Sequence, residues 1–308
     1  MQQSINKVMM LPAKSISFKP QQLACVALLL LALIWGYNWV VMKIAVRDAP
    51  AFAFAALRNV FGALSIFLLM ALRRQSLRPQ ALMGSALFGL LQSGGSIGLC
   101  TWALVHGGAG KTAVLTYTMA FWTLLFAWIF LDERLHGRQW LGVGLAVPGL
   151  VFILMPFNLS SDLLSKVLAV ASGIFWAAAT IVLKKLTRRQ PVELLSFTAW
   201  QMAFGSLPLL LASAVSSDPP IHWTASFIGA LAYNAVPASA LAWLLWLYAL
   251  KHLPAGLAGL GGLIIPVVGL LAAAWQLGES PQPLEIAGMV LILGALAVTT
   301  LCSSKSGT

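Results

Sequence analysis

The sequence predicts an all-α integral membrane protein in which ten transmembrane helices form two inverted five-helix repeats. Three observations support this fold class: the apolar composition, the recurrence of long apolar stretches, and a match of the chain to itself. Of its residues, 60% are hydrophobic and only 9% are charged, whereas an ordinary soluble domain is roughly 25% charged. So much apolar surface does not fit one water-soluble core and is typical of a polytopic membrane protein.

Ten apolar stretches are long enough, at about 18 to 25 residues, to cross a bilayer as helices. They cover residues 22–43, 51–72, 80–104, 112–131, 138–156, 164–185, 193–213, 223–249, 255–277 and 283–301. We expect the chain to have four parts: a basic cytoplasmic N-terminal segment 1–21, a first five-helix repeat 22–156, a second, inverted five-helix repeat 164–301 and a cytoplasmic tail 302–308.

The basic residues predict the orientation of the helices. With a cytoplasmic N-terminus, 14 of the 19 Lys and Arg residues fall on the cytoplasmic side. The other five are Lys43, Arg47, Arg58, Lys111 and Lys166. Because an excess of Lys and Arg in short loops marks the cytoplasmic side, both termini are expected there. The net charge of +11 is therefore interpreted as a topology signal and not as a nucleic-acid surface.

The stretch "VHGGAGKTAV" at residues 105–114 has the ending of a phosphate-binding loop. That loop requires a glycine five residues before Gly110, where this chain has Val105. Lys111 is expected in the connection between the third and fourth helices, on the side away from cytoplasmic ATP. We therefore predict no nucleotide site.

A second motif, Gly94-Gly95-Ser96-Ile97-Gly98, fits the G-x-S-x-G pattern of serine hydrolases. Such an enzyme needs a base within reach of the serine, but all four histidines are predicted in loops or at helix ends. Small residues in membrane helices usually allow close helix packing. The sequence therefore predicts no enzyme activity and no cofactor. The three cysteines have no paired spacing, which argues against a metal site.

The chain matches itself when it is shifted by 146 residues. The matched positions are His106 with His252, Gly110 with Gly256, Glu133 with Glu279, and Gly142 with Gly288, so that an E-x8-G pattern recurs. A shift of 141 residues aligns Trp35 with Trp176. Because each copy has an odd number of spans, the second must enter the membrane inverted, which is a hallmark of secondary transporters with a central binding site.

These features resemble the drug/metabolite transporter superfamily, in the branch with two EamA-type domains. The segment "WGYNWVVMK" at residues 35–43 is similar to that branch's first-helix motif, and Arg58 and Pro266 also fit. In the second copy Ala177–Ala179 replace the Gly-x-Asn element and Gln201 stands near the position of Arg58. The resemblance implies export of a small metabolite, often an amino acid, across the bacterial inner membrane, with more polar contacts from the first copy.

Polar and aromatic side chains within the spans are the candidate substrate-binding residues, because polar groups in a membrane are costly and tend to be functional. They are Asn38, Arg58, Gln92, Ser96, Tyr117, Trp122, Tyr233, Asn234 and Trp243. Each has a structural alternative: Asn38 could join two helices, Arg58 could pair with Asp48, and the aromatic residues could pack or face lipid. Glu133 and Glu279, at span ends, are interpreted as capping or salt-bridging residues.

The sequence thus predicts a secondary transporter that works by alternating access, with a small-molecule substrate and the lipid bilayer as its partners. No buried Asp or Glu is expected within a span, which makes carboxylate-driven proton coupling doubtful. Three alternatives stay open: an importer, an intramembrane enzyme, and a scaffold or receptor without transport. The substrate, the coupling ion and the oligomeric state are not determined by the sequence.

Overall fold

The computed structural model describes residues 20–132, 137–154, 161–252 and 255–303, and they form ten helices. The first repeat contains α1 (Pro20–Asp48), α2 (Ala51–Leu72), α3 (Leu82–His106), α4 (Ala109–Leu131) and α5 (Gly137–Leu154). The second contains α6 (Ser161–Arg189), α7 (Leu194–Val215), α8 (residues 225–252), α9 (Ala255–Leu277) and α10 (Pro283–Ser303). The ten helices coincide with the ten predicted stretches, and the predicted fold class is confirmed.

The surface of the helix bundle is apolar. Seven helices (α1 to α4 and α6 to α8) are long and apolar enough to cross a membrane, and the apolar parts of α5, α9 and α10 are shorter within the described residues. Large side chains such as Leu64, Leu68 and Trp275 are exposed, the last of them to 85%. Small residues such as Ala32 and Ala55 are fully buried between helices. Close contacts of small residues, with bulky ones toward lipid, are the usual packing of membrane helices.

The helix contacts are symmetric between the two repeats. The α1–α9 contact has a counterpart in α6–α4, and the α1–α8 contact has one in α6–α3. The extensive α2–α7 and α5–α10 contacts map onto themselves when corresponding helices are exchanged. The two halves are therefore built on the same plan and meet across a pseudo-two-fold axis.

Two glycines allow α1 and α6 to approach their neighbouring helices closely. A Cβ atom at Gly36 would collide with Val268 and the Ile265 carbonyl of α9, and one at Gly173 would collide with the backbone of Thr116 and Met119 in α4. Gly36 and Gly173 are therefore points of close approach, of α1 to α9 and of α6 to α4. The pairing of Trp35 with Trp176 at a shift of 141 stays a prediction.

Three irregular segments interrupt the helices near their middle. Residues Leu90–Ser96 in α3 and Val236–Leu241 in α8 are π-helical, and their starting residues differ by the same 146 positions as the sequence repeat. In α4 the helix is interrupted at Thr118, whose hydroxyl donates to the Leu115 carbonyl at 2.6 Å. Backbone of this kind is tolerated at membrane depth where it is buried in protein or lines a cavity.

The start of α4 differs from the prediction. Lys111 was expected in the connection before the fourth helix, but α4 begins at Ala109 and includes Lys111 in its first turn. The connection after His106 is only two residues long. The helix begins early because its first backbone N–H groups, at Ala109 and Gly110, donate to the carboxylate of Glu279, which compensates donors that would otherwise lack partners.

Candidate functional site

A cavity of about 80 Å³ lies within the bundle, nearer the end at which α1 ends and α2 and α4 begin. Its walls come from α1, α2, α3, α4 and α6. They are formed by Trp35, Asn38, Trp39, Met42, Arg58, Ser96, Ile97, Cys100, Thr116, Tyr117, Met119 and Trp176. The second repeat contributes only Trp176 to this lining, and all other lining residues come from the first repeat. This agrees with the sequence, in which the second copy lacks the Gly-x-Asn element and the arginine of the first.

Arg58 places a positive charge at the cavity wall. Its side chain is only 6% exposed, and Nη1 donates to the thioether sulfur of Met42 at 3.0 Å. Its Nε group has no hydrogen-bond partner. A thioether is a weak acceptor, so this contact does little to compensate the buried charge.

The expected alternative partner of Arg58 is engaged elsewhere. The carboxylate of Asp48 accepts a hydrogen bond from the Thr224 hydroxyl at 2.6 Å, and the Asp48 carbonyl accepts one from the His222 backbone N–H. No salt bridge to Arg58 is found among the described side chains. The guanidinium therefore faces the cavity without a carboxylate from this part of the chain.

Asn38 lies beside Arg58 on the same wall. Its Nδ2 donates to the Met42 sulfur at 3.3 Å, which places it within 6.3 Å of Arg58 Nη1, the sum of the two contacts to that sulfur. The Oδ1 atom of Asn38 is buried without a partner. Beside the cavity, an acceptor without a partner thus lies next to a cation without a carboxylate partner among the described residues, which is rare in protein interiors.

Aromatic rings form much of the remaining wall. Trp35 donates from Nε1 to the Ala238 carbonyl at 2.9 Å and packs edge-to-face against Trp243 with ring centroids 5.8 Å apart. Trp39, Tyr117 and Trp176 complete the aromatic lining. Apolar walls with a few polar groups at fixed positions are typical of small-molecule sites.

Of the nine predicted binding residues, four line this cavity: Asn38, Arg58, Ser96 and Tyr117. Trp243 lies behind Trp35. Gln92 is buried in the π-helical part of α3 but is not part of the lining. The prediction used helical spacing alone, and a π-helical segment changes which residues share a face.

The other three predicted residues lie elsewhere. The Tyr233 hydroxyl donates to the Ile34 carbonyl at 2.8 Å, and Asn234 donates from Nδ2 to the Ala230 carbonyl at 3.0 Å while its Oδ1 is unpaired. Trp122 lines a separate, largely apolar cavity of about 200 Å³ between α4 and α5. These residues support helix packing or face a different space.

Several lining residues were not predicted. Met42 bridges Asn38 and Arg58 through its sulfur, and Cys100 and Thr116 complete the wall near Arg58. Met42 could have been found from the sequence, because it lies four residues after Asn38 on the same helical face.

The serine of the hydrolase-like motif contacts a serine of another helix. The Ser96 hydroxyl lies 3.1 Å from the Ser172 hydroxyl, which in turn donates to the Ser96 carbonyl at 2.9 Å. These contacts join α3 to α6, as expected for a packing motif of small residues.

One end of the bundle carries a vestibule of about 550 Å³, at the connections between α1 and α2 and between α7 and α8. Phe52 and Trp102 line it, with their rings 5.5 Å apart. Ile97, which lines the central cavity, packs with Phe52 on the same small cluster of Ala55, Ala56 and Leu209. A thin apolar layer therefore separates the vestibule from the cavity.

Charged contacts hold the two repeats together at this end. Glu279 accepts from the Ala109 and Gly110 backbone N–H groups at 2.5 and 3.0 Å, so a carboxylate of the chain itself occupies the part of the loop where a phosphate would bind. The expected capping role of Glu279 is what the structure shows, while Glu133 lies outside the described residues. Lys43 donates to the Leu104 carbonyl at 2.5 Å near the end of α3.

A buried carboxylate corrects one expectation. Glu285, in the first turn of α10, is only 5% exposed and forms ion pairs with Lys111 at 2.8 Å and Lys166 at 3.5 Å. No buried acid had been expected within a span. Glu285 is accommodated because two lysines from other helices compensate its charge. We refer to Lys111, Lys166 and Glu285 as the ionic cluster.

Comparison with known proteins agrees with this architecture. The sequence profile of the EamA-like transporter family matches residues 22–155 and 163–301. One solved crystal structure superimposes with a TM-score of 0.66 at 18% sequence identity, covering 93% of this chain and 98% of that one, which supports the fold.

Curated relatives align along nearly their whole length. The chain is 29% identical to the "Probable amino-acid metabolite efflux pump" of Salmonella typhimurium, over 88% of this chain and 92% of that protein. It is 26% identical to the "Uncharacterized transporter YoaV" of Bacillus subtilis (89% and 95%) and 26% identical to the "Uncharacterized inner membrane transporter YedA" of Escherichia coli (89% and 90%). The chain therefore belongs to the EamA-like transporter family and is a multi-pass membrane transporter.

Proposed function

We propose that this protein is a secondary transporter that exports a small metabolite, an amino acid or a related compound, across the bacterial inner membrane. The observation that carries the proposal is the central cavity, where the buried Arg58 and Asn38 keep unused hydrogen-bonding groups. A structural role alone would favour partners for these groups. The Salmonella relative, named a probable amino-acid metabolite efflux pump, supports the amino-acid class.

Alternating access follows from the two similar halves. In this conformation the layer of Phe52, Trp102 and Ile97 separates the cavity from the vestibule, while Glu279 and the ionic cluster link the repeats at that end. Because the halves share one plan, exchanging their conformations would open this end and close the other at similar free energy. The substrate passes through unchanged, so no catalytic residue is required.

Flux measurements test transport directly. Purified protein reconstituted into liposomes should exchange internal amino acids for labelled external ones, without ATP and in proportion to the protein content. Liposomes without protein are the control. The absence of counterflow for all amino acids and their close analogues would contradict the proposal. Resistance of cells to toxic amino-acid analogues on overexpression tests export, and increased sensitivity would indicate import.

The proposed orientation places both termini in the cytoplasm. In a background without native cysteines, a cysteine at Arg73, exposed after α2, should react only from the cytoplasmic side. A cysteine at Asp218, exposed between α7 and α8, should react only from the periplasmic side. Labelling of both positions from the same side would contradict the inverted arrangement.

A further inference from the structure

We infer that the cavity recognises the zwitterionic head group of an α-amino acid, with Arg58 binding the free carboxylate and Asn38 Oδ1 accepting from the ammonium group. This inference rests on the proposed function and names the chemistry by which the same cavity selects its substrate. It excludes amines without a carboxylate as good substrates, and it predicts weaker binding of carboxylates without an amine.

The first argument is electrostatic. A buried charge is costly unless it is paired and hydrogen-bonded. The carboxylates that the structure describes have other partners or are exposed to solvent. Glu285 pairs with lysines, Glu279 and Glu193 cap helices, and Asp48 accepts a hydrogen bond from Thr224. Asp132 and Asp218 are exposed. The side chains of Glu133 and Asp162 lie outside the described part. An anion that enters the cavity is thus the natural partner of Arg58.

The second argument concerns geometry at Arg58. Within the described part of the chain, only Nη1 is engaged, by a weak thioether acceptor, and the Nε group is buried without a partner. A guanidinium presents its N–H groups as a planar fork that matches the two oxygens of a carboxylate. A carboxylate would satisfy the unused donor and the charge together, whereas a neutral amide would satisfy only the donor.

The third argument comes from Asn38, which distinguishes an amino acid from a simple anion. Its unpaired Oδ1 requires a hydrogen-bond donor, and a carboxylate or a chloride ion has none. An ammonium group has three donors and is also attracted to the faces of aromatic rings. Trp35 and Trp39 line the cavity on the same helix as Asn38, so that α1 provides a suitable environment for the cationic end.

Binding experiments on the purified full-length protein test this inference separately from transport. Each L-amino acid is added at millimolar concentration, and the thermal unfolding midpoint is measured. The amino acids that raise the midpoint are then compared with their amides, which lack the carboxylate, and with the corresponding deaminated acids. We expect the amides to lose binding by roughly 10- to 100-fold, and the deaminated acids to bind more weakly than the amino acids.

Substitutions then assign the two ends of the ligand. Arg58→Gln should weaken amino-acid binding by roughly 10- to 100-fold, and Arg58→Lys should recover part of it because the charge is kept without the fork. The second repeat has Gln201 near the equivalent position, buried and bonded to Ser93, so glutamine suits this environment. Arg73→Gln, which removes an exposed charge, is the matched control and should bind as the wild type does.

Asn38→Leu should reduce the preference for an amino acid over its deaminated acid. Equal binding of amino acids and their amides, no amino-acid binding at all, or a midpoint that responds to chloride alone would overturn the inference. If the Arg58→Gln protein does not fold, amino-acid binding by Arg58→Lys and the comparison of amino acids with their amides test the role of Arg58 instead. Counterflow measurements separate this inference from the proposed transport function. Binding of amino acids without flux would contradict only the transport function. Equal flux of amino acids and their amides would contradict only the inferred recognition of the carboxylate.

Discussion

The buried charges of Arg58 and of the ionic cluster differ in one respect: their partners. In the cluster, Glu285 contacts two lysines at 2.8 and 3.5 Å and links α10 to α4 and α6. Arg58 has a methionine sulfur and an unsatisfied Nε beside a cavity. Paired charges are part of the structure that holds the helices together, whereas a charge without a partner next to open space indicates a binding site.

The same contrast recurs between the repeats. Gln201, near the position of Arg58 in the second copy, accepts from the Ser93 hydroxyl at 2.6 Å. Asn59 donates to the Ser93 carbonyl at 3.0 Å, while Asn38 has only the Met42 sulfur. Arg58 thus differs from its near counterpart in the second repeat, and Asn38 differs from Asn59 within the first repeat, in having unsatisfied groups at the cavity.

The largest expected effect on stability belongs to the ionic cluster. Glu285→Gln leaves two lysines without their shared carboxylate and should lower the free energy of unfolding by about 3–5 kcal/mol. Denaturation in detergent measures this, with the exposed Asp218→Asn as a control that should change little. Adding Lys166→Met to Glu285→Gln should recover part of the loss. A decrease below about 1 kcal/mol would mean that the cluster is not structural.

Arg58→Gln should affect the free energy of unfolding in the opposite direction to Glu285→Gln. In the absence of ligand, removing a buried charge without a carboxylate partner should leave the stability unchanged or raise it by about 1 kcal/mol, while transport is lost. The measurement is the unfolding midpoint and the counterflow rate on one preparation. A loss of several kcal/mol would show that Arg58 is paired as the ionic cluster is, and would remove the contrast.

Glu279→Gln tests the capped start of α4. The amide keeps an acceptor for the Ala109 and Gly110 N–H groups but removes the negative charge from the helix N-terminus. We expect a loss of about 1 kcal/mol, since such interactions contribute about 0.3–2 kcal/mol. Glu279→Ala, which also removes the acceptor, should lose more in the same unfolding assay. If the two variants are equally stable, the carboxylate contacts do not stabilise the helix.

The smallest expected effect separates the two asparagines. Asn59→Leu should cost about 0.6 kcal/mol, the average for hydrogen bonds between membrane helices, with transport per folded molecule near that of the wild type. Asn38→Leu should change stability less and abolish most of the flux, because it removes the acceptor in the cavity. A stability loss at Asn38 with normal flux would assign it to helix packing.

The sequence by itself determined the membrane class, the ten helices and their duplication. Apolar length is a local property, because a helix must satisfy its own backbone hydrogen bonds in lipid. The repeat could be read because matching residues survive in both copies, such as Glu279 and Gly288 with Glu133 and Gly142. The same local information led to the interpretation of the phosphate-loop and hydrolase motifs as chance matches, which stays a prediction.

Only the tertiary structure decided which polar side chains meet. Asn38, Arg58, Ser96 and Tyr117 come from four helices to one cavity, while Tyr233 and Trp122, chosen by the same reasoning, lie elsewhere. Glu285 is buried because lysines from α4 and α6 reach it, and π-helical segments change the faces of α3 and α8. Pairing between distant helices depends on packing and register, which no local pattern in the sequence contains.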